Sequence, residues 1–147
     1  MSWSCEHNYS PSEEHYYLYI SSEDCKQLFP KNNISHFEVE LPETLYLSKG
    51  KWEIALMEAT YDRHIHKDYE SMYLLCNLCE DSFVHNNKQS ILRTLQGNMA
   101  YRILQHFVDV TTTQIRHIRM RFVDLQLQPV TQSGSFYCTL LLQKKRT

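Results

Sequence analysis

The chain has 147 residues, 42% of them hydrophobic and 22% charged, which suffices for the core of one ordinary domain and excludes a disordered polymer. A formal net charge of -2 argues against a generally basic nucleic-acid binder. Ten Tyr, six Phe and two Trp against only three Gly lean toward β structure, and no glycine-spelled phosphate loop is present.

No stretch approaches the roughly 20 apolar residues of a membrane span. Residues 1–14 are polar, lack the apolar core of a secretory signal and show no periodicity, so they read as a flexible arm. The arm carries two aromatics, Trp3 and Tyr9, suited to docking onto a partner. Residues 15–147 read as the folded domain. The five cysteines, Cys5, Cys25, Cys76, Cys79 and Cys138, are expected as reduced thiols in a cytosolic or nuclear compartment.

Tyr16-Tyr17-Leu18-Tyr19-Ile20 predicts a first strand, apolar on both faces. Ser21 and Ser22 ahead of Glu23 and Asp24 carry a helix-start signature, and Phe29-Pro30-Lys31-Asn32-Asn33 closes any short helix with turn chemistry. Phe37, Val39 and Leu41 then alternate with His36, Glu38 and Glu40, a half-buried strand that Pro42 ends. After a turn at 48–51, residues 52–61 predict a longer strand with Trp52, Ile54 and Leu56 on one face. Its parity loosens toward Met57, Ala59 and Tyr61, as at a bulge.

Residues 62–70 read as a histidine-bearing loop, 71–79 as a strand, 80–89 as a loop and 90–95 as a short strand. Met99, Ile103 and Phe107 lie at helical spacing and predict a helix over 98–108, with an irregular strand as the alternative. Residues 115–123 alternate again, Ile118, Met120 and Phe122 opposing His117, Arg119 and Arg121. A turn at 131–135 leads to a final strand over 136–142. Seven or so strands without strand–helix alternation predict an all-β sandwich or barrel.

The main metal candidate is Asp62-Arg63-His64-Ile65-His66-Lys67-Asp68, because a His-x-His pair on extended chain can give two nitrogens to zinc or copper. Arg63 and Lys67 would crowd a cation, so a solvated loop is expected, with a His-metal sandwich enzyme as an alternative. Cys76-Asn77-Leu78-Cys79 has CxxC spacing but lies in an apolar run read as a strand. Side chains three apart on a strand point to opposite faces, so two separate small thiols, in the core or at the surface, are expected. Glu38 and Glu40 read as solvated carboxylates, and His117, Arg119 and Arg121 as a charged outer stripe or a partner-facing edge. Together these residues predict a non-enzymatic protein with no cofactor and no metal.

Ten tyrosines exceed the needs of one small core, and tyrosine is enriched at protein interfaces. Tyr9, Tyr46, Tyr61, Tyr69 and Tyr101 fall at strand ends or in loops and are expected at contacts.

Tyr17-Leu18-Tyr19-Ile20-Ser21-Ser22, Leu28-Phe29-Pro30-Lys31-Asn32-Asn33, Phe37-Glu38-Val39-Glu40-Leu41-Pro42 and the stretch from Leu47 through Gly50-Lys51-Trp52-Glu53-Ile54-Ala55-Leu56-Met57-Glu58 follow one another in a recognisable order. This opening resembles the start of jelly-roll capsid proteins of polinton-like elements and adenovirus-related DNA viruses. About forty residues carry the likeness, and Tyr61-Asp62 stands where that family has Tyr-Pro. The resemblance implies a single jelly-roll-like antiparallel β-sandwich with at most one or two short helices. It further implies a small minor, cement or vertex component of a virion, found in the host nucleus or cytoplasm during assembly. Expected partners are other capsid proteins or further copies of the chain, without a membrane or sequence-specific nucleic acid. The expected contact residues are Trp3, Tyr9, Tyr61, His64, His66, Tyr69, Asn86, Arg119 and Arg121. A β-sandwich module binding a ligand or protein outside a virion is the other alternative.

Overall fold

The computed structural model describes residues 14–24, 26–97, 106–131 and 134–146. Its strands are β1 (His15–Ser21), β2 (His36–Tyr46), β3 (Trp52–Thr60), β4 (Ser71–Cys76), β5 (Ser82–Val84), β6 (Asn87–Gln89), β7 (Ile91–Gln96), β8 (Phe107–Asp109), β9 (Gln114–Asp124) and β10 (Tyr137–Lys144). Two four-stranded antiparallel sheets form a sandwich, one ordered β1-β10-β3-β8 and the other β2-β9-β4-β7. From β1 to β4 the chain changes sheet at every connection. It then runs from β4 through the small β5–β6 ribbon to β7 in the same sheet, and alternates again to β10.

Alternation decides which side chains meet between the sheets. Leu18 and Ile20 of β1, Ile54 and Leu56 of β3, and Leu140 and Leu142 of β10 form the inner face of the first sheet. Phe37 and Val39 of β2, Ile118, Met120 and Phe122 of β9, Met72, Leu74 and Cys76 of β4, and Leu92 and Leu95 of β7 complete the same cluster. Each such large side chain contributes about 1.5–3 kcal/mol when fully buried.

Aromatic rings tie the sheets together at one end. Phe122 meets Phe136 edge-on, with centroids 4.9 Å apart. Phe136 also lies 6.0 Å from Phe37 and 5.9 Å from Tyr61. At the other end Trp52 stacks on Tyr16 at 5.9 Å and donates its indole N–H to Ser48 C=O.

The bulge expected near Met57 is present: Thr139 pairs with Glu58 and Leu140 with Leu56, leaving Met57 as the extra residue. Several other expectations need correction. Pro42 does not end β2, which continues to Tyr46, but the register breaks between Glu40 and Leu45. A proline is tolerated there because β2 is an edge strand, where a missing N–H breaks no ladder. Ser21 and Ser22 start a turn, not a helix. The Ser22 hydroxyl accepts from Phe136 N–H while Ser22 N–H donates to Phe136 C=O, fastening the end of β1 to the start of β10.

The expected loop at 62–70 contains a 3-10 helix, Arg63–Lys67, capped by the Asp62 carboxylate, which accepts from His64 N–H. The loop at 80–89 is the β5–β6 hairpin, whose two turn residues, His85 and Asn86, both have positive φ. Of the helix expected over 98–108, residues 98–105 lie outside the described residues, and Phe107 and Val108 belong to β8, paired with Ala55 and Ile54. The expected strand at 71–79 stops at Cys76. A turn follows, closed by Cys79 N–H donating to Cys76 C=O at 3.1 Å, so the two cysteines do not point to opposite faces.

The Phe122 ring packs on Tyr61 and Phe136 across the sandwich and is almost wholly buried. Phe122→Ala is expected to lower the unfolding free energy by about 3–5 kcal/mol in urea titration, against less than about 1.5 kcal/mol for the volume-conserving Leu140→Met.

Candidate interaction surfaces

The histidine-bearing segment is wired into the protein. Tyr61, expected at a rim, is instead buried against Phe122 and Phe136, because the chain turns inward after β3. The Tyr69 carbonyl can only accept, so the 2.8 Å contact from His66 Nδ1 places the ring proton on Nδ1. His66 Nε2 then accepts from the Tyr61 hydroxyl at 2.7 Å, while the Tyr61 oxygen itself accepts from Arg63 Nη1 at 2.9 Å. Burial raises the Tyr61 hydroxyl pKa above its ordinary value, with Arg63 acting in the opposite sense. Both ring nitrogens of His66 are therefore engaged within the fold, and His64, which is exposed, does not share its hydrogen-bond network. Among the described residues no three His, Cys, Asp or Glu side chains gather as a metal-binding group. Tyr69 is half-buried, its hydroxyl receiving Thr131 N–H.

Arg119 and Arg121 do lie on the outer face of β9, but the stripe is part of a cross-strand charge ladder. Arg119 Nε donates to the Glu38 carboxylate at 2.9 Å, and His117 Nε2 lies 2.8 Å from Glu40 Oε1, with Arg116 3.6 Å from the other Glu40 oxygen. These pairs follow from the register, which sets Glu38 opposite Arg119 and Glu40 opposite His117. The His117 hydrogen bond, and then Arg116, hold the Glu40 carboxyl below its usual pKa. His36, across from Arg121, is lowered by partial burial and by the nearby guanidinium. Asn86 is an exposed turn residue of the β5–β6 ribbon. Trp3 and Tyr9 lie outside the described residues, as does Tyr101.

Tyr46, at the end of β2, is 66% exposed, as expected of a rim residue, and three further exposed tyrosines gather on the other sheet. Tyr17 and Tyr19 of β1 are 40% and 66% exposed, and Tyr137 of β10 is 50% exposed. All three stand on the outer face of the first sheet, Tyr137 opposite Ser21 and Tyr17 opposite Leu141. Across that sheet the register lines up Tyr17, Leu141, Ala55 and Phe107 as one apolar rung over all four strands, but Leu141 and Ala55 within it are buried, so the exposed part of this face is its β1 side. β1 ends its sheet's order, and its sequence, His-Tyr-Tyr-Leu-Tyr-Ile-Ser, contains no Lys, Asp, Glu or Pro. Edge strands are commonly blunted by charge or proline, as β2 is by Glu38, Glu40 and Pro42; β1 carries neither device. The linear pattern contained this signal as an apolar-on-both-faces strand, but not which face the partner sheet would cover.

A second apolar feature is a cleft of about 400 Å³ beside β2, lined by Leu28, Phe29 and Pro30 and bordered by His36 and Glu38. Phe29 packs edge-on against His117 at its rim, and Leu28 is 60% exposed. Asn32 braces this segment: its side chain accepts from Glu38 N–H and donates to Glu38 C=O, imitating a strand partner. That gives the asparagine of the Phe-Pro-x-Asn stretch a structural role. No protein-family model matches the chain, and no curated protein matches it.

Tyr61→Phe keeps the ring and removes the hydroxyl joining Arg63 to His66; it is expected to cost about 1 kcal/mol in denaturant titration. His64→Ala is expected to stay within about 0.5 kcal/mol of the parent. Because the folded Glu40 carboxyl titrates below its unfolded value, its stabilisation is present above the unfolded pKa and is lost as pH falls through the folded one. Glu40→Gln is accordingly expected to flatten the acid limb of a Tm-against-pH curve, with the two curves converging at the acid end.

Proposed function

We propose that this protein is a non-enzymatic structural protein of a virion, a small minor, cement or vertex component that binds neighbouring capsid proteins. The observation that carries the reading is the strand order, β1-β10-β3-β8 facing β2-β9-β4-β7. Eight strands winding between two sheets in this order support a jelly roll, an architecture shared by viral capsid proteins, lectins and cupins. The opening motif favours the capsid member of that group. Its Leu-Pro, Gly and Trp positions all serve the fold: Pro42 sits where the β2 register breaks, Gly50 turns into β3, and Trp52 anchors the end of the sandwich. A cupin-like metal role draws no support from His66, whose two ring nitrogens are committed to Tyr61 and Tyr69.

The contact face in this reading is the outer side of β1 and β10. Tyr17, Tyr19 and Tyr137 offer large, rigid, amphipathic area at low entropic cost. His15 meets Tyr17 edge-on at 5.6 Å, holding that ring in place. The charge ladder of β2 and β9 supplies register rather than affinity, since exposed pairs of this kind contribute little.

Particles purified from cells expressing the chain, treated with nuclease and sedimented, are expected to retain it. The triple variant Tyr17→Ser, Tyr19→Ser, Tyr137→Ser is expected to fold with an unchanged circular-dichroism spectrum and to be released, with association weakened roughly 30-fold or more, as for interface hot spots. A chain absent from sedimented particles overturns the capsid reading. Full retention of the triple variant overturns the choice of face.

A further inference from the structure

We propose that Cys76 and Cys79 form a redox-active dithiol, closing to an intramolecular disulfide by exchange with small-molecule disulfides of the glutathione type. This site is independent of whether the chain serves in a capsid. Three observations bring it about. First, β4 ends at Cys76, and the turn Cys76-Asn77-Leu78-Cys79 is closed by its own backbone hydrogen bond. Residues i and i+3 of such a turn have Cα atoms less than about 7 Å apart, which overlaps the range a disulfide spans. Second, both cysteines are free, buried thiols of this same turn. Third, Cys79 lines a surface cleft of about 420 Å³ together with Asn77, Glu80, Lys88 and Thr111, so the pair lies just beneath a route from solvent although both residues are buried.

The turn is held in this shape from outside. Asn77 N–H donates to Arg119 C=O and the Asn77 side-chain oxygen accepts from Arg119 N–H, fastening the turn to β9. Thr111 N–H donates to Leu78 C=O and Glu80 N–H to Asp109 C=O, fastening it to the β8–β9 connection. The cysteines therefore have little freedom to move apart, which favours ring closure over mixed disulfides.

Acidity and access divide between the two sulfurs. The neighbouring Cys79 thiol, and the Leu78 backbone N–H with it, lower the Cys76 pKa against the opposing effect of burial. The same neighbour and burial raise Cys79, but Cys79 is the one that lines the cleft and so is the sulfur an incoming disulfide meets. Cys138, on the opposite sheet, is raised by burial and stays a thiol. The Cys79 thiolate attacks one sulfur of RSSR and expels RS⁻, forming a mixed disulfide. The second cysteine then loses its proton, attacks the protein sulfur of that mixed disulfide and expels the second RS⁻. The protein loses two electrons and two protons, and RSSR becomes two RSH.

The test uses the full reduced chain, equilibrated in glutathione buffers of increasing oxidised-to-reduced ratio, quenched with acid, alkylated and mapped by mass spectrometry. The peptide containing both Cys76 and Cys79 is expected to become two hydrogens lighter and refractory to alkylation at ratios where Cys138 still takes the label. Circular dichroism is expected to show the sheet signal unchanged across the series. Cys76→Ser is expected to trap glutathione on Cys79, the cysteine that lines the cleft, giving a second readout in a chain that cannot close the ring. The proposal is overturned if both cysteines stay alkylatable at every ratio, if either pairs with Cys138 or another chain, or if closure occurs only after urea unfolds the protein.

Discussion

The structure depends on one contact more than any other: the aromatic cluster in which Phe136, at the entry to β10, meets Phe122 of β9, Phe37 of β2 and Tyr61 at the exit of β3. Two sheets of alternating strands have no intrinsic reason to choose their relative position. Large rings from both layers, interlocked at one end, remove that freedom because each is too big to slide without opening a void. Phe136 stands next to the Ser22 double hydrogen bond, so the same point also fixes β1 on β10. Tyr61 carries the constraint outward: its hydroxyl organises Arg63 and His66, and hence the 3-10 helix that follows β3.

With three glycines in the chain, the turns are made by other means. His85 and Asn86 take positive φ in the β5–β6 hairpin, and Leu127 does so after β9. The Leu127 turn is stabilised by Asp124, whose carboxylate accepts from both Gln126 N–H and Gln128 N–H. Gly50 is different in kind, since its φ of 134° is joined to a close approach: a Cβ there would meet Lys144 Cε at 2.6 Å. The Lys144 side-chain end can swing away, so the end of the sandwich around Trp52 uses one of its few glycines chiefly for its positive φ. Polar side chains supply the remaining fastenings, with Asn32 bridging both backbone groups of Glu38.

Chemistry and contact occupy different parts of the molecule. The outer face of β1 and β10 is tyrosine-rich and lacks charged residues along β1, whereas the outer face of β2 and β9 is a ladder of opposed charges. The histidines that drew notice in the linear chain are spent on internal hydrogen bonds or solvent. The cysteines that drew little notice come together beneath a cleft.

Alternation of apolar and polar residues was enough to determine the all-β class, most of the strands and much of the core, because a period of two needs only the neighbours along one strand. Phe37, Trp52, Ile118 and Phe122 were legible for that reason. The bulge at Met57 was legible too, since a lost parity is itself a local signal. What the chain folds against was not local. Whether Cys79 continues a strand or turns back depends on Asn77 and Leu78 finding Arg119 and Thr111, more than thirty residues away. Whether Tyr61 faces solvent depends on Phe122 and Phe136 waiting for it. Tyr17 and Tyr19 sat in a strand that looked apolar on both faces, and only the packing of one sheet on the other decided that their side was the one turned away from the partner sheet.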